Sequence, residues 1–172
     1  MDLYMRRPNM DNIPQYDFPD GYTIHHWQTG DLQHWIDIQK RFHDTEVNEE
    51  GFHADYGHNE AFYKQRIYFL MHKEQVIGSI SAWFGDEDRG TDVGQIHWLV
   101  IVPEHRGKNL SRPMMTYACN KFKELGHQSA YLETDIEFVP AVRLYLHFGF
   151  QPEITSDELQ TEWDQFMKTW YS

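Results

Sequence analysis

The sequence predicts an α/β fold in which one mixed sheet is covered by helices on both faces. Short β-rich runs in the middle of the chain are separated by tight turns, which is typical of hairpins. Towards the end, β-rich runs alternate with amphipathic helical segments, which is typical of crossover connections. With 40% hydrophobic and 16% aromatic residues, 172 residues suffice for a core without cross-links.

The first half of the chain divides into the following elements. Residues 1–20 hold three prolines and predict an extended N-terminal arm or a short strand leading into the domain. A strand is expected at 22–27, then a helix with Asp31 as its N-cap, a polar stretch at 44–59 and a short helix at 60–65. Residues 67–72 and 76–83 predict a hairpin, 85–90 a charged turn, and 93–102 a long strand ended by Pro103.

The second half alternates between helix and strand. A helix is expected at 110–125 before Gly126, a strand at 129–134, and a helix at 139–148 before Gly149. A short strand at 150–154 then leads to a helix that starts at Ser156 or Asp157 and ends near residue 170. We expect one domain over residues 1–172, with residues 1–20 as its arm and 155–172 as its C-terminal helix.

Charge and composition exclude several classes of function. Twenty-seven acidic residues against 15 lysines and arginines give a net charge of −12, which argues against nucleic-acid binding. No apolar stretch is long enough to cross a bilayer, and the N-terminus lacks the apolar core of a signal peptide. Cys119 is the single cysteine, and the eleven histidines follow no metal-ligand spacing. We therefore expect a cytoplasmic protein with no metal and no membrane partner.

The segment 96–115 carries the most specific chemical signal. A long strand ends at Pro103, and a turn-prone loop from Arg106 to Ser111 leads into a helix. Free N–H groups and the helix dipole at such a junction can hold a phosphate, and Arg106, Lys108 and Arg112 add positive charge. An ordinary solvated turn is the alternative interpretation of this loop taken alone.

Two motifs resemble those of the GNAT superfamily of N-acetyltransferases. The loop resembles that superfamily's acyl-CoA-binding motif, Arg/Gln-x-x-Gly-x-Gly/Ala, with Asn109 in place of the first glycine and Ser111 at the last small position. Downstream, Leu144, Tyr145, Gly149 and Phe150 match the Leu-Tyr-x-x-x-Gly-Phe motif. Asn tolerates the left-handed conformation well, so Asn109 is compatible with the first motif. Phe138 stands where many relatives have an Asn that contacts pantetheine.

The resemblance implies a mixed, mostly antiparallel sheet and transfer of an acetyl group from acetyl-CoA to a primary amine. It implies that the strand Val100, Ile101 and Val102 would pair with pantetheine, and that the pyrophosphate would be held by residues Arg106, Gly107, Lys108, Asn109, Leu110, Ser111 and Arg112. Tyr145 would act as the general acid for the thiolate in a direct attack within a ternary complex.

The base and the acceptor remain open at this stage. His97 and Glu133 are the candidate bases, each on a strand beside the expected cleft, and a water-relayed base is the alternative. His97 alternates with Ile96 and Trp98, which predicts that His97 faces the cleft while its neighbours face away. The acceptor is a small-molecule or peptide amine, and homodimer formation is left open. A catalytically silent CoA-binding sensor domain and a pure interaction domain are the competing functions.

Overall fold

The computed structural model describes residues 1–42, 47–85 and 89–170, and in these it contains seven strands and six helices. The strands are β1 (Asp2–Arg7), β2 (Tyr22–His26), β3 (Ile67–His72), β4 (Gln75–Phe84), β5 (Val93–Ile101), β6 (Ser129–Asp135) and β7 (Gln151–Pro152). The helices are α1 (Leu32–Lys40), α2 (Glu49–Tyr56), α3 (Glu60–Arg66), α4 (Ser111–Glu124), α5 (Val139–His147) and α6 (Asp157–Trp170). The predicted α/β class is confirmed.

All seven strands form one mixed sheet in the order β2-β3-β4-β5-β6-β1-β7. Only the β5–β6 pair is parallel, so the sheet is mostly antiparallel. Residues 1–20 were expected to form an arm or a leading strand. They contain β1, which is an interior strand of the sheet between β6 and β7. Leu3 and Met5 of β1 are fully buried, so this segment belongs to the core rather than to an arm.

The two parallel strands stay paired over a short length only. Val93–Gln95 of β5 pairs with Ser129–Tyr131 of β6, and beyond that point both strands continue without pairing to each other. Gly94 lies in the paired part, where a Cβ atom would come within 2.4 Å of the Phe122 ring of α4. Only glycine therefore lets β5 approach α4 this closely. The parting of β5 and β6 opens a cleft in the sheet.

Two apolar clusters hold the helices against the sheet. The larger cluster joins α4 and α5 to the sheet through fully buried residues such as Met114, Phe122 and Val142. The smaller cluster is aromatic and anchors α1 and α2 through Trp35, Phe52 and Tyr56. The helices of the larger cluster, α4 and α5, therefore lie on one side of the cleft between β5 and β6. The helices of the smaller cluster, α1 and α2, lie on the other side.

Several sequence predictions need correction. The sequence indicates only a polar stretch at residues 44–59 and gives no helix there, but α2 lies within them. The Asn48 side chain accepts from the Gly51 N–H at 2.9 Å, which starts this helix. Asp31 precedes α1 but makes no side-chain cap bond; its carboxylate accepts from the Gln28 N–H and contacts His25.

The remaining predicted elements fall where expected, within a residue or two of their bounds. Ser156 is the cap of α6, since its hydroxyl accepts from the Leu159 N–H at 3.1 Å. Residues 86–88 of the predicted charged turn and residues 44–46 of the polar stretch lie outside the described residues. Among the helices described, none is both long and apolar enough to cross a membrane.

Candidate active site

A cavity of about 930 Å³ lies where β5 and β6 part. This is at the upper end of the volumes that small-molecule sites have. Its wall is made by residues of β5, of the loop before α4, and of the stretch from β6 into α5, together with Phe42 after α1. They are Phe42, Ile96, His97, Trp98, Leu99, Val100, Ile101, His105, Arg106, Gly107, Asn109, Leu110, Ser111, Glu133, Thr134, Glu137, Phe138, Pro140, Ala141, Leu144 and Tyr145.

The loop before α4 has the backbone geometry of an anion site. Asn109 has a φ of 56° and Gly107 a φ of 74°, so the left-handed conformation expected at Asn109 is confirmed. Inside the described chain, the N–H groups of residues 107–111 donate to no backbone carbonyl. Left-handed residues turn such N–H groups towards a common point, and the positive end of α4 lies directly behind them.

Not every cation of this loop reaches the cavity. Arg106 lines it, and its Nε–H donates to the Ile101 carbonyl at 3.0 Å. Lys108 and Arg112 are exposed residues outside the cavity wall, and the Arg112 guanidinium lies 5.4 Å from the Tyr16 ring centre. The backbone N–H groups of the loop and Arg106 are therefore the donors in this wall that could hold an anion.

Not all of the strand residues expected to pair with pantetheine line the cavity and have backbone groups free for pairing. Val100 and Ile101 line the cavity, as does the neighbouring Leu99. Val102 does not: its N–H donates to the Ile77 carbonyl at 2.9 Å, and its own carbonyl accepts from the His105 N–H at 3.0 Å. Because both backbone groups of Val102 are occupied, an added strand can pair with β5 only before this residue.

Tyr145 of α5 lies at the opposite wall from β5. Its side chain is only 7% exposed, and that small exposure faces the cavity. Burial alone raises the pKa of its phenol to about 12, with no hydrogen bond from the described chain contributing. The Tyr145 ring contacts Phe150 edge-on at 6.3 Å, which fixes its orientation. The site therefore contains a phenol that stays protonated at any physiological pH.

His97 and Trp98 share one side of β5, contrary to the predicted alternation. Trp98 has a φ of 50°, and the β4–β5 register shifts between Ser79 and Ser81. This bulge turns the Trp98 side chain to the side that His97 already faces. A single carboxylate oxygen, Oδ2 of Asp55, accepts from Trp98 Nε1 at 2.9 Å and lies 3.7 Å from His97 Nε2.

Glu133 enters the cavity from β6. It is opposite Tyr4 of β1, and its charge raises the pKa of the Tyr4 phenol. Arg89 lies over the rings of Tyr4 and Tyr131 and pairs with Glu153 at 2.9 Å. The structure therefore brings both candidate bases, His97 and Glu133, to the wall of the same cavity as Tyr145.

Sequence reasoning missed several residues at or beside this cavity, among them Asp55, Phe42, His105 and Glu137. Asp55 belongs to a helix that was not predicted, and Phe42 follows α1 at its C-terminal end. His105 lines the cavity, and its Nδ1 lies 3.1 Å from the Tyr22 hydroxyl. Partial burial, followed by the charge of Lys108, lowers the pKa of His105. Glu137, just before α5, also lines the cavity. Only its position ahead of the second motif could have indicated this from the sequence.

Comparison with known proteins identifies the class to which this fold and site belong. The sequence model of the Acetyltransferase (GNAT) family matches residues 22–150. The chain therefore belongs to this family, whose members generally take the acetyl group from acetyl-CoA. An uncharacterised N-acetyltransferase of Escherichia coli, YjgM, is 31% identical over 74 residues, which cover 43% of this chain and 42% of that protein.

Solved structures agree with this fold. A GCN5-related N-acetyltransferase from Sphaerobacter thermophilus superposes with a TM-score of 0.72 at 15% identity, over 88% of this chain and 48% of that one. The ribosomal-protein-S18-alanine N-acetyltransferase of Escherichia coli superposes with a TM-score of 0.63 at 19% identity, over 78% and 79% of the two chains. The chain thus spans about half the length of several proteins that it matches.

Proposed function

We propose that this protein transfers the acetyl group of acetyl-CoA directly to a primary amine within a ternary complex. One observation carries the proposal: an anion-binding loop opens into a cavity whose far wall holds a buried, protonated phenol. Family membership supports acetyl transfer as the general chemistry.

The cofactor fits the residues present. The N–H groups of residues 107–111 and the Arg106 guanidinium would hold the pyrophosphate. In the described chain those N–H groups donate to no backbone carbonyl, and Arg106 uses its Nε–H, but no Nη–H, on the Ile101 carbonyl. Val100 and Ile101 would bind the pantetheine arm along the unpaired edge of β5. When bound, acetyl-CoA supplies a thioester carbonyl for attack by the amine.

Tyr145 has the protonation state that a donor to the leaving sulfur needs. With a pKa near 12 the phenol remains neutral and can donate a hydrogen bond to the developing thiolate. A thiol has a reference pKa of about 8.5, so a complete proton transfer from this phenol would be uphill. We therefore assign Tyr145 to stabilising the thiolate by hydrogen bonding, with proton delivery following or accompanying that step.

His97 and Glu133 are the groups that can take the proton from the incoming ammonium. Both line the cavity, on β5 and β6 respectively, and both retain contact with solvent. Either could remove a proton directly or through one water.

A thermal shift with acetyl-CoA, followed by a thiol-release assay over a panel of primary amines, tests the proposal. We expect stabilisation by acetyl-CoA, and free thiol released in step with an amine product heavier by one acetyl group. Lys123, an exposed residue near the C-terminal end of α4 and far along the helix from the loop, provides a control variant, Lys123→Ala, that should behave as the wild type. Stabilisation without turnover would instead indicate a silent CoA-binding domain.

A further inference from the structure

The two ends of the cavity differ in charge. The end at the loop before α4 carries the positive charge of Arg106. The end beside His97 carries Glu133, with Asp55 directly behind the wall residues His97 and Trp98. A cation is therefore attracted to the end where the acceptor would enter under the function proposed above.

Asp55 is held in place without being neutralised. The indole N–H of Trp98 fixes its Oδ2 at 2.9 Å, and 3.7 Å to His97 Nε2 is too long for a normal hydrogen bond. Within residues 1–42, 47–85 and 89–170, no lysine or arginine forms an ion pair with Asp55 or Glu133. The side chain of Asp55 is 35% exposed, and both of its partners, His97 and Trp98, line the cavity.

Arg89, which lies over the ring of Tyr4, the residue opposite Glu133, is itself paired with another carboxylate. Arg89 lies over the rings of Tyr4 and Tyr131, and its guanidinium pairs with Glu153 at 2.9 Å. The positive charge is thus compensated by a carboxylate outside the cavity wall. The acceptor end keeps the uncompensated charge of Asp55, beside the Trp98 indole, which lines the cavity.

Resting on the proposed function, we propose that the acceptor is a small amine with a second cationic group, and that Asp55 binds this second group. One nitrogen of the acceptor would lose its proton to His97 or Glu133 and attack. The other nitrogen would stay an ammonium and donate to the Asp55 carboxylate. Asp55 is then a specificity-determining residue that takes no part in the proton transfers.

The test compares kcat/KM for three sets of acceptors of equal length: linear α,ω-diamines of three to six carbons, the corresponding monoamines, and the corresponding ω-aminocarboxylates. We expect diamines to be preferred over monoamines by about 10- to 100-fold, the range of a hydrogen bond between charged groups. Asp55→Asn should remove most of this preference, since the Asn amide carries no charge while its carbonyl can still accept from Trp98. Asp55→Lys should shift the preference towards the aminocarboxylates.

Glu50 gives a matched control, because it is an exposed carboxylate on the same helix with no contact to the cavity wall. Glu50→Gln should keep the wild-type preference. Equal turnover of monoamines and diamines by the wild type, or an undiminished preference in Asp55→Asn, would overturn this inference and leave the proposed function intact. Acetyl-CoA binding with no turnover of any amine would overturn the proposed function itself.

Discussion

Nη1 of Arg66 donates a hydrogen bond to Nε2 of His127 at 2.9 Å in the interior, where both side chains are about 5% exposed. The other ring nitrogen of His127 faces the Asp92 carbonyl at 3.1 Å. Since Nε2 must accept and Nδ1 must donate, the imidazole is neutral with its proton on Nδ1. Burial, followed by the charge of Arg66, lowers the pKa of His127.

This pairing predicts that the protein loses stability in mild acid. The unfolded state takes up a histidine proton near pH 6.5, whereas folded His127 does so only at lower pH. Above pH 6.5 His127 therefore makes its full contribution to the free energy of unfolding. This contribution is lost as the pH falls towards the pKa of His127 in the folded state, at up to about 1.4 kcal/mol per pH unit.

Urea unfolding between pH 7.5 and 5 checks this prediction. His127→Gln should flatten the dependence of the unfolding free energy on pH, because the Gln carbonyl accepts from Arg66 and does not titrate. His34 is exposed on α1, and His34→Gln serves as the control with a wild-type slope. The same slope in His127→Gln and in the wild type would refute the assignment.

Asn109 provides a test of the anion-binding loop. Asn109→Gly should bind acetyl-CoA as tightly as the wild type or more tightly, because glycine adopts a φ of 56° without strain. Asn109→Val should weaken binding by about 5- to 100-fold, since a β-branched residue in this region costs about 1–3 kcal/mol. Calorimetry with acetyl-CoA measures both constants, and three equal affinities would rule out a conformational role for Asn109.

The base is identified by the pH dependence of kcat/KM. If His97 takes the proton, His97→Gln should lower kcat/KM by about 10²- to 10⁴-fold, remove an ionisation in the histidine range and leave the affinity for acetyl-CoA unchanged. Glu133→Gln should then lower kcat/KM much less than His97→Gln does. The reverse ranking would assign the base to Glu133, and two small effects would indicate a water-relayed base.

The fold was predictable because its elements have strong local signals. The β4 and β5 runs and the helix before Gly126 carry clear periodicity and end at recognisable residues. By contrast, α2 has only Phe52 and Tyr56 as buried apolar residues, and its stability comes from an aromatic cluster built by distant segments. Likewise, the interior position of β1 depends on pairing with β6 and β7, which no local pattern encodes.

The site was predictable where the motif itself shapes the backbone. The left-handed conformation of Asn109 follows from its place in the loop, and Tyr145 lies in the cavity as the second motif implied. The bulge at Trp98 was not predictable, because a strand-like sequence gives no sign of a left-handed residue within it. Asp55 was missed for the same reason as α2, although it touches both His97 and Trp98.

The most direct test of the central claim is Tyr145→Phe, assayed for both acetyl-CoA affinity and turnover. Within the described chain no hydrogen bond holds the Tyr145 hydroxyl, so its removal should leave folding and the dissociation constant for acetyl-CoA unchanged. If the phenol stabilises the departing thiolate, kcat should fall by about 10²- to 10⁴-fold. A Tyr145→Phe variant that binds acetyl-CoA normally and turns over at the wild-type rate would contradict the account.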